Sequence, residues 1–245
     1  MNRRKSSQII HLHPHLPKST FRTPNSSPMH YLYLHGFASS PQSAKAQCLK
    51  QQFKTVGETL HILDLNQDNF AQLTLTRQIE QARAWMEGRD RVTLIGSSFG
   101  GLTATWIAQQ PAVQPKIDRL VLLAPAFQFL QQWLPRLGPE TVAAWNKTGW
   151  LSVYHYGMAK QVPLAYGFVT DAERYDENQL SAQIPTLILH GRYDEVIDIQ
   201  ASRNYASDRP WVQLIELDSD HSLGDAQPAI WEAVRAFLSL GTPAP

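Results

Sequence analysis

The chain is poor in cysteine, having only Cys48. One thiol forms no internal disulfide and carries no thiolate-ligand spacing, so a disulfide scaffold and a cysteine-based metal site are excluded and a reducing compartment is expected. Cys48 itself reads as a small buried residue. Charge of one sign is also lacking: 22 Lys and Arg stand against 21 Asp and Glu. That balance gives no electrostatic footing for nucleic acid or an anionic membrane as partner. No apolar run reaches transmembrane length, and no internal repeat is visible. Arg3 and Arg4 stand where an export signal would begin, but the only adjacent apolar pair nearby is Ile9 and Ile10, so a cytoplasmic protein is expected. What is present is 245 residues, 43% of them hydrophobic, which suits one soluble domain or one domain carrying an inserted cap.

Residues 1–28 are rich in Ser, Pro, His and basic side chains and read as a disordered tail. His11, His13 and His15 alternate within it, without the supporting shell that a metal site needs. Met29 directly precedes the first strand signal and is an alternative start. From there short apolar runs alternate with helical periodicity, the pattern of parallel strands joined by crossover helices. Strands are expected at His30 to His35, Leu60 to Leu65, Val92 to Gly96, Leu120 to Ala124, Thr186 to His190 and Val212 to Leu217. Helices are expected at Ala44 to Phe53, Thr76 to Glu87, Gly101 to Gln109, Ala201 to Ala206 and Pro228 to Leu238. The last carries Ile230, Val234, Phe237 and Leu238 on one face. The fold class is therefore α/β, a mainly parallel, doubly wound sheet of about six strands.

The chemistry begins where the strand ending at Gly96 runs through Ser97, Ser98, Phe99 and Gly100 into a helix. Gly-x-Ser-x-Gly in that context is a nucleophile elbow, with Ser98 at its centre and Gly96 and Gly100 allowing strand and helix to approach. A serine hydroxyl is a weak nucleophile at neutral pH and needs a base, itself oriented by an acid; with this elbow the acid and then the histidine follow in the chain. Asp194 lies just beyond a strand end, where open sheets build their sites, and stands nearer to it than Glu195 or Asp198. His221 follows the next strand and precedes the last helix. The turn His35-Gly36-Phe37 closes the first strand. Acyl transfer develops negative charge on a carbonyl oxygen, and the amides of Phe37 and Phe99 are the candidate donors for it. His35 is expected to prop that turn rather than to move protons.

His35-Gly36, the Ser98 elbow, His190-Gly191-x-x-Asp194 and Asp220-His221 together resemble the α/β-hydrolase superfamily, over nearly all the chain after Met29. Tyr31 to Lys45, Tyr-Leu-Tyr-Leu-His-Gly-Phe-Ala-Ser-Ser-Pro-x-Ser-Ala-Lys, resembles the opening of small bacterial YqiA-like esterases. The resemblance implies a cytoplasmic esterase acting on small-molecule acyl esters, with no metal or cofactor. Residues 128–183 are longer than in the smallest members and rich in aromatics, and are expected to form an inserted helical cap over residues 29–245. Most of those aromatics fill the cap's own core; Trp145 and Trp150, which flank Gly149, are the expected pocket residues. Thioesterase, C–C hydrolase and peptidase chemistry would use the same triad. A binding protein that merely retained the fold would have lost a member of it, and haloalkane dehalogenation needs a carboxylate at position 98.

Overall fold

The computed structural model describes residues 27–241, so the reading of residues 1–28 as a disordered tail lies almost wholly outside the described residues. The six expected strands form one sheet: β1 (His30–Leu34), β2 (Leu60–Leu63), β3 (Val92–Ser97), β4 (Ile117–Leu123), β7 (Thr186–Gly191) and β8 (Val212–Leu217). Their order is β2-β1-β3-β4-β7-β8, and every neighbouring pair is parallel. After β1 the chain turns outward to β2, and after β3 it proceeds in the opposite direction. The carboxyl ends of β1 and β3 therefore flank the switch point where open α/β sheets place their ligands.

Alternation along the strands supplies two cores. Leu32, Leu34, Leu94, Leu120, Leu122 and Ile188 face one side, whereas Tyr31, Tyr33, Ile95, Val121, Leu123 and Leu189 face the other. The first face is covered by α2 (Leu75–Trp85), α3 (Phe99–Ala108) and residues of α7 (Ile199–Ser207). The second is covered by α1 (Ala44–Thr55) and α8 (Gln227–Leu238). In α8 the buried residues are Ile230, Trp231 and Val234, with Phe237 and Leu238 partly covered, close to the expected face. Each fully buried aliphatic side chain of this kind contributes about 1.5–3 kcal/mol. Cys48, expected inside, is only half-buried on α1 because the helix turns Ala46, Leu49 and Phe53 to the sheet.

The insertion between β4 and β7, expected as a helical cap, holds helices and also a two-stranded hairpin. It contains α4 (Phe129–Leu137), α5 (Pro139–Thr148) and α6 (Gly167–Ala172), but between them stands an antiparallel hairpin, β5 (Trp150–His155) with β6 (Lys160–Ala165). The hairpin has the period of a half-buried sheet. Leu151, Val153, Val162 and Leu164 turn inward, and Trp150, Ser152, Tyr154, Gln161 and Pro163 turn outward. Its outward face is itself partly aromatic, which blurs the apolar–polar alternation from which a strand is read. Its turn is anchored on the main domain, since the amide of Tyr156 donates to the Ala38 carbonyl at 2.8 Å.

Trp145 and Trp150 are not where the sequence placed them. Trp145 is 1% exposed, its indole N–H donates to the Leu164 carbonyl at 3.0 Å, and its ring packs against Trp133 and Tyr166. It ties α5 to β6 as core. Trp150 is 49% exposed on the outer face of the hairpin. Trp145→Phe removes the buried donor and leaves a gap, and is expected to cost about 1–3 kcal/mol of stability. Trp150→Ala is expected to stay within about 0.5 kcal/mol of wild type, as exposed substitutions do. Denaturant melts of both variants check this, and equal losses would place Trp150 in the core as well.

Candidate active site

Ser98 sits between the end of β3 and the start of α3 with φ 53° and ψ −121°, a conformation few non-glycine residues adopt. Such strain costs on the order of 1–3 kcal/mol and persists only where surrounding bonds impose it. Here the Ser98 amide donates to the Leu123 carbonyl at 2.9 Å, and the Ser98 carbonyl accepts from the amides of Gly101, Leu102 and Ala126. The turn is possible because Gly96 and Gly100 have no side chain. A Cβ on Gly96 would lie 2.3 Å from the Gly100 carbonyl oxygen, and one on Gly100 would lie 2.2 Å from that of Leu34.

The loop after β7 brings up Asp194 and the loop after β8 brings up His221. The amide of Arg192 donates to the Leu217 carbonyl and that of Tyr193 to the Ser219 carbonyl, which holds the two loops together. His221 Nδ1 lies 2.8 Å from Asp194 Oδ2, and His221 Nε2 lies 3.1 Å from Ser98 Oγ. A carboxylate only accepts, so Nδ1 carries the proton and Nε2 is left to accept from the serine hydroxyl. The three side chains thus form one chain of hydrogen bonds across three loops. The competing acids are placed otherwise. Asp198 caps α7 by accepting from the Gln200 amide, and Glu195 is exposed.

The Asp194 side chain is fully buried, and its Oδ1 accepts from the amides of Val196 and Ile197 at 2.8 and 2.7 Å. Burial by itself pushes its carboxyl up. The N–H donors of His190 and His221, the charge of His221 and the Ile197 amide outweigh that, and hold it well below the usual carboxylate range. Lys45, on α1, donates from Nζ to the His221 carbonyl at 3.1 Å. Its ammonium is pushed down to about 8, burial outweighing the attraction of Asp194 and Asp220.

The turn after β1 reaches the same place. A Cβ on Gly36 would lie 3.2 Å from Ser98 Cβ and 3.8 Å from its Oγ, so this backbone runs directly against the serine. Phe99 is the first residue of α3, and its amide has no partner one turn earlier in the helix. Among the described residues the Phe37 amide also has no protein acceptor. His35 is buried below the turn. Its Nε2 accepts from the Leu65 amide and its Nδ1 faces the Gly36 carbonyl, both at 2.9 Å, an arrangement that supports the turn and makes no contact with the triad.

Above the turn the Phe37 ring meets Phe70, Phe99, Phe129, Trp133 and Phe168, with ring centres 5.1 to 6.3 Å away. Trp133, Phe168 and Phe129, not Trp145 and Trp150, are the cap aromatics packed against Phe37. A separate cavity of about 590 Å³ is lined by Phe99, Leu102, Trp106 and Phe129 and also by Glu173, Asp176 and Glu177. Trp133 is one of several aromatics of the insertion with nothing local to single it out, and the sequence assigns no role to His190 or Lys45. The latter two lie inside quoted motifs, but what each touches is decided by residues distant in the chain.

The family described as "Uncharacterised protein family (UPF0227)" matches residues 30–238. Among solved structures, the chain is similar to a protein of Agrobacterium vitis S4, at 22% identity over 85% of this chain and 87% of that one, with a TM-score of 0.75. Mouse alpha/beta hydrolase domain-containing protein 10 is 20% identical over 91% of this chain and 97% of its own, with a TM-score of 0.73. Est1E of Butyrivibrio proteoclasticus, with ferulic acid bound, is 19% identical over 92% of both chains, with a TM-score of 0.72. These similarities establish the α/β-hydrolase fold. No helix among the described residues is long and apolar enough to cross a membrane.

Proposed function

The chain belongs to the UPF0227 family, and we propose that it is a serine hydrolase cleaving carboxylic ester bonds of small, largely apolar substrates. The observation that carries this reading is the pair of contacts from His221, 3.1 Å to Ser98 Oγ and 2.8 Å to Asp194 Oδ2. Ser98 Oγ attacks the ester carbonyl while His221 Nε2 takes its proton, and Asp194 stabilises the imidazolium that forms. Charge developing on the carbonyl oxygen falls to the amides of Phe37 and Phe99. His221 then returns the proton to the leaving alkoxide, and water deacylates Ser98 by the same steps in reverse order. The aromatic surroundings of Phe37 favour apolar acyl groups over charged ones, because a charge brought there would lose its hydration without a partner.

The test is kcat/KM across p-nitrophenyl esters of increasing acyl length, for wild type and Trp133→Ala. Contacts in such a pocket discriminate by roughly 1–3 kcal/mol per methylene, so removing the indole is expected to shift relative chain-length preference by about ten- to two-hundredfold. Absence of turnover on every ester would refute the assignment of reaction. An unchanged profile in the variant would remove Trp133 from the acyl pocket.

A further inference from the structure

The triad acid has a second histidine. His190, near the end of β7, is fully buried, and its Nε2 lies 3.0 Å from Asp194 Oδ2, the same oxygen that His221 Nδ1 uses, and 3.1 Å from the Ile197 carbonyl. Both neighbours only accept, so Nε2 must carry a proton. On the other side of the ring, Nδ1 lies 2.7 Å from the hydroxyl of Ser202, a fully buried residue of α7. Among the described residues that hydroxyl has no other partner. Its one proton is therefore given to Nδ1, and a doubly protonated His190 would strand it.

We propose that His190 is a positioning residue of the active site: held by Ser202 as the neutral ring with its proton on Nε2, it grips the oxygen through which Asp194 acts on His221. The inference rests on the triad reading above. Two backbone amides hold Oδ1, the His221 N–H holds Oδ2, and His190 Nε2, whose N–H is directed at the Ile197 carbonyl, stands 3.0 Å from that same oxygen, so the carboxylate can neither rotate nor pick up a proton cheaply. The donor from His190 also draws off part of the negative charge that His221 feels. Without it, Asp194 stabilises the His221 imidazolium more strongly and holds it in a less defined direction. The base should then become protonated at higher pH and turnover should fall. The other ionisable groups facing this pair are Lys45 on α1, which reaches the His221 carbonyl, and Asp220 beside it in the loop. Neither is altered by changing His190.

The experiment is the pH profile of kcat/KM for a p-nitrophenyl ester with wild type, His190→Phe, His190→Gln and Ser98→Ala. Phenylalanine keeps a ring without a donor, whereas glutamine places an N–H where Nε2 stood. His190→Phe is expected to raise the acid limb by about 0.5–1 pH unit and to lower kcat about ten- to a hundredfold. His190→Gln is expected to return the limb to within about 0.2 unit of wild type. If the two variants lose the same activity at an unmoved limb, His190 is packing alone and the inference falls while the triad stands; turnover by Ser98→Ala would bring down the triad itself. Because a buried substitution can prevent folding, the wild-type tautomer is tested directly by ¹⁵N NMR. A protonated Nε2 and an unprotonated Nδ1 on His190 are expected at the pH of the assay. The opposite tautomer, or a doubly protonated ring, would overturn the proposal without any variant.

Discussion

Ser98→Ala is expected to lower ester turnover by about four to six orders of magnitude while leaving the fold intact. The methyl group nearly keeps the volume at the elbow but removes the oxygen that, among the described residues, is the hydrogen-bond partner of His221 Nε2. His221→Ala should cost about as much, and Asp194→Asn about four orders of magnitude, since an amide can present its donor to Nδ1 and favour the wrong tautomer. The double variant Ser98→Ala/His221→Ala should lose little more than either single one, because the groups act as a unit. Ser97→Ala is the control. Ser97 is the last residue of β3, 3% exposed, and belongs to the sheet, not to the triad. Steady-state kcat and kcat/KM on a p-nitrophenyl ester, with circular dichroism to verify folding, measure these losses. Independent, additive losses from Ser98 and His221 would mean that they do not share one proton transfer.

The second large effect is on folding. Gly100→Ala would place Cβ 2.2 Å from the Leu34 carbonyl oxygen and 2.6 Å from that of His35, both backbone atoms that cannot turn aside. Helix α3 would have to lift off β1, opening the contact that sets Ser98 against the Gly36–Phe37 turn. Overpacking of this severity is expected to cost at least about 3 kcal/mol, a large share of a domain's net stability, and to abolish turnover in whatever protein still folds. Gly96→Ala, with Cβ 2.3 Å from the Gly100 carbonyl oxygen, should behave alike. Gly167→Ala, where a Cβ meets nothing within 4 Å, is expected to change stability by less than about 1 kcal/mol. Thermal or urea melts compare the three. A Gly100→Ala protein as stable as Gly167→Ala would mean that helix and strand are not packed as closely as described.

How far the sequence carried depends on the range of the forces involved. The central strands β1, β3, β4 and β7 were legible because a strand buried on both faces is apolar along most of its length, whereas the edge strand β8 was read from its alternation of apolar with polar residues and falls on the same residues, Val212–Leu217, in sequence and structure. That Ser98, Asp194 and His221 converge was legible because each follows a strand end, and the chain order of strands and loops carries that information. The β5–β6 hairpin was hidden by outward-facing Trp150 and Tyr154, whose exposure no local pattern reveals. Trp145 and Trp150 stand on either side of Gly149, and only their distant neighbours separate core from surface. His190 is the instructive case. Its residue type and place in the strand were on view, but its role depends on Asp194, Ile197 and Ser202 converging on one ring.

The account stands most directly on Ser98 as the nucleophile, and covalent labelling reads that atom alone. Wild-type protein incubated with a fluorophosphonate, digested and analysed by peptide mass spectrometry is expected to carry one phosphonyl group on the peptide containing Ser98, with fragmentation placing it on that residue. Ser97→Ala should label as wild type does, and Ser98→Ala and His221→Ala should label far more slowly or not at all. Labelling of Ser98→Ala at the wild-type rate, or of wild type at a different serine, would contradict the assignment of the nucleophile and the mechanism built on it.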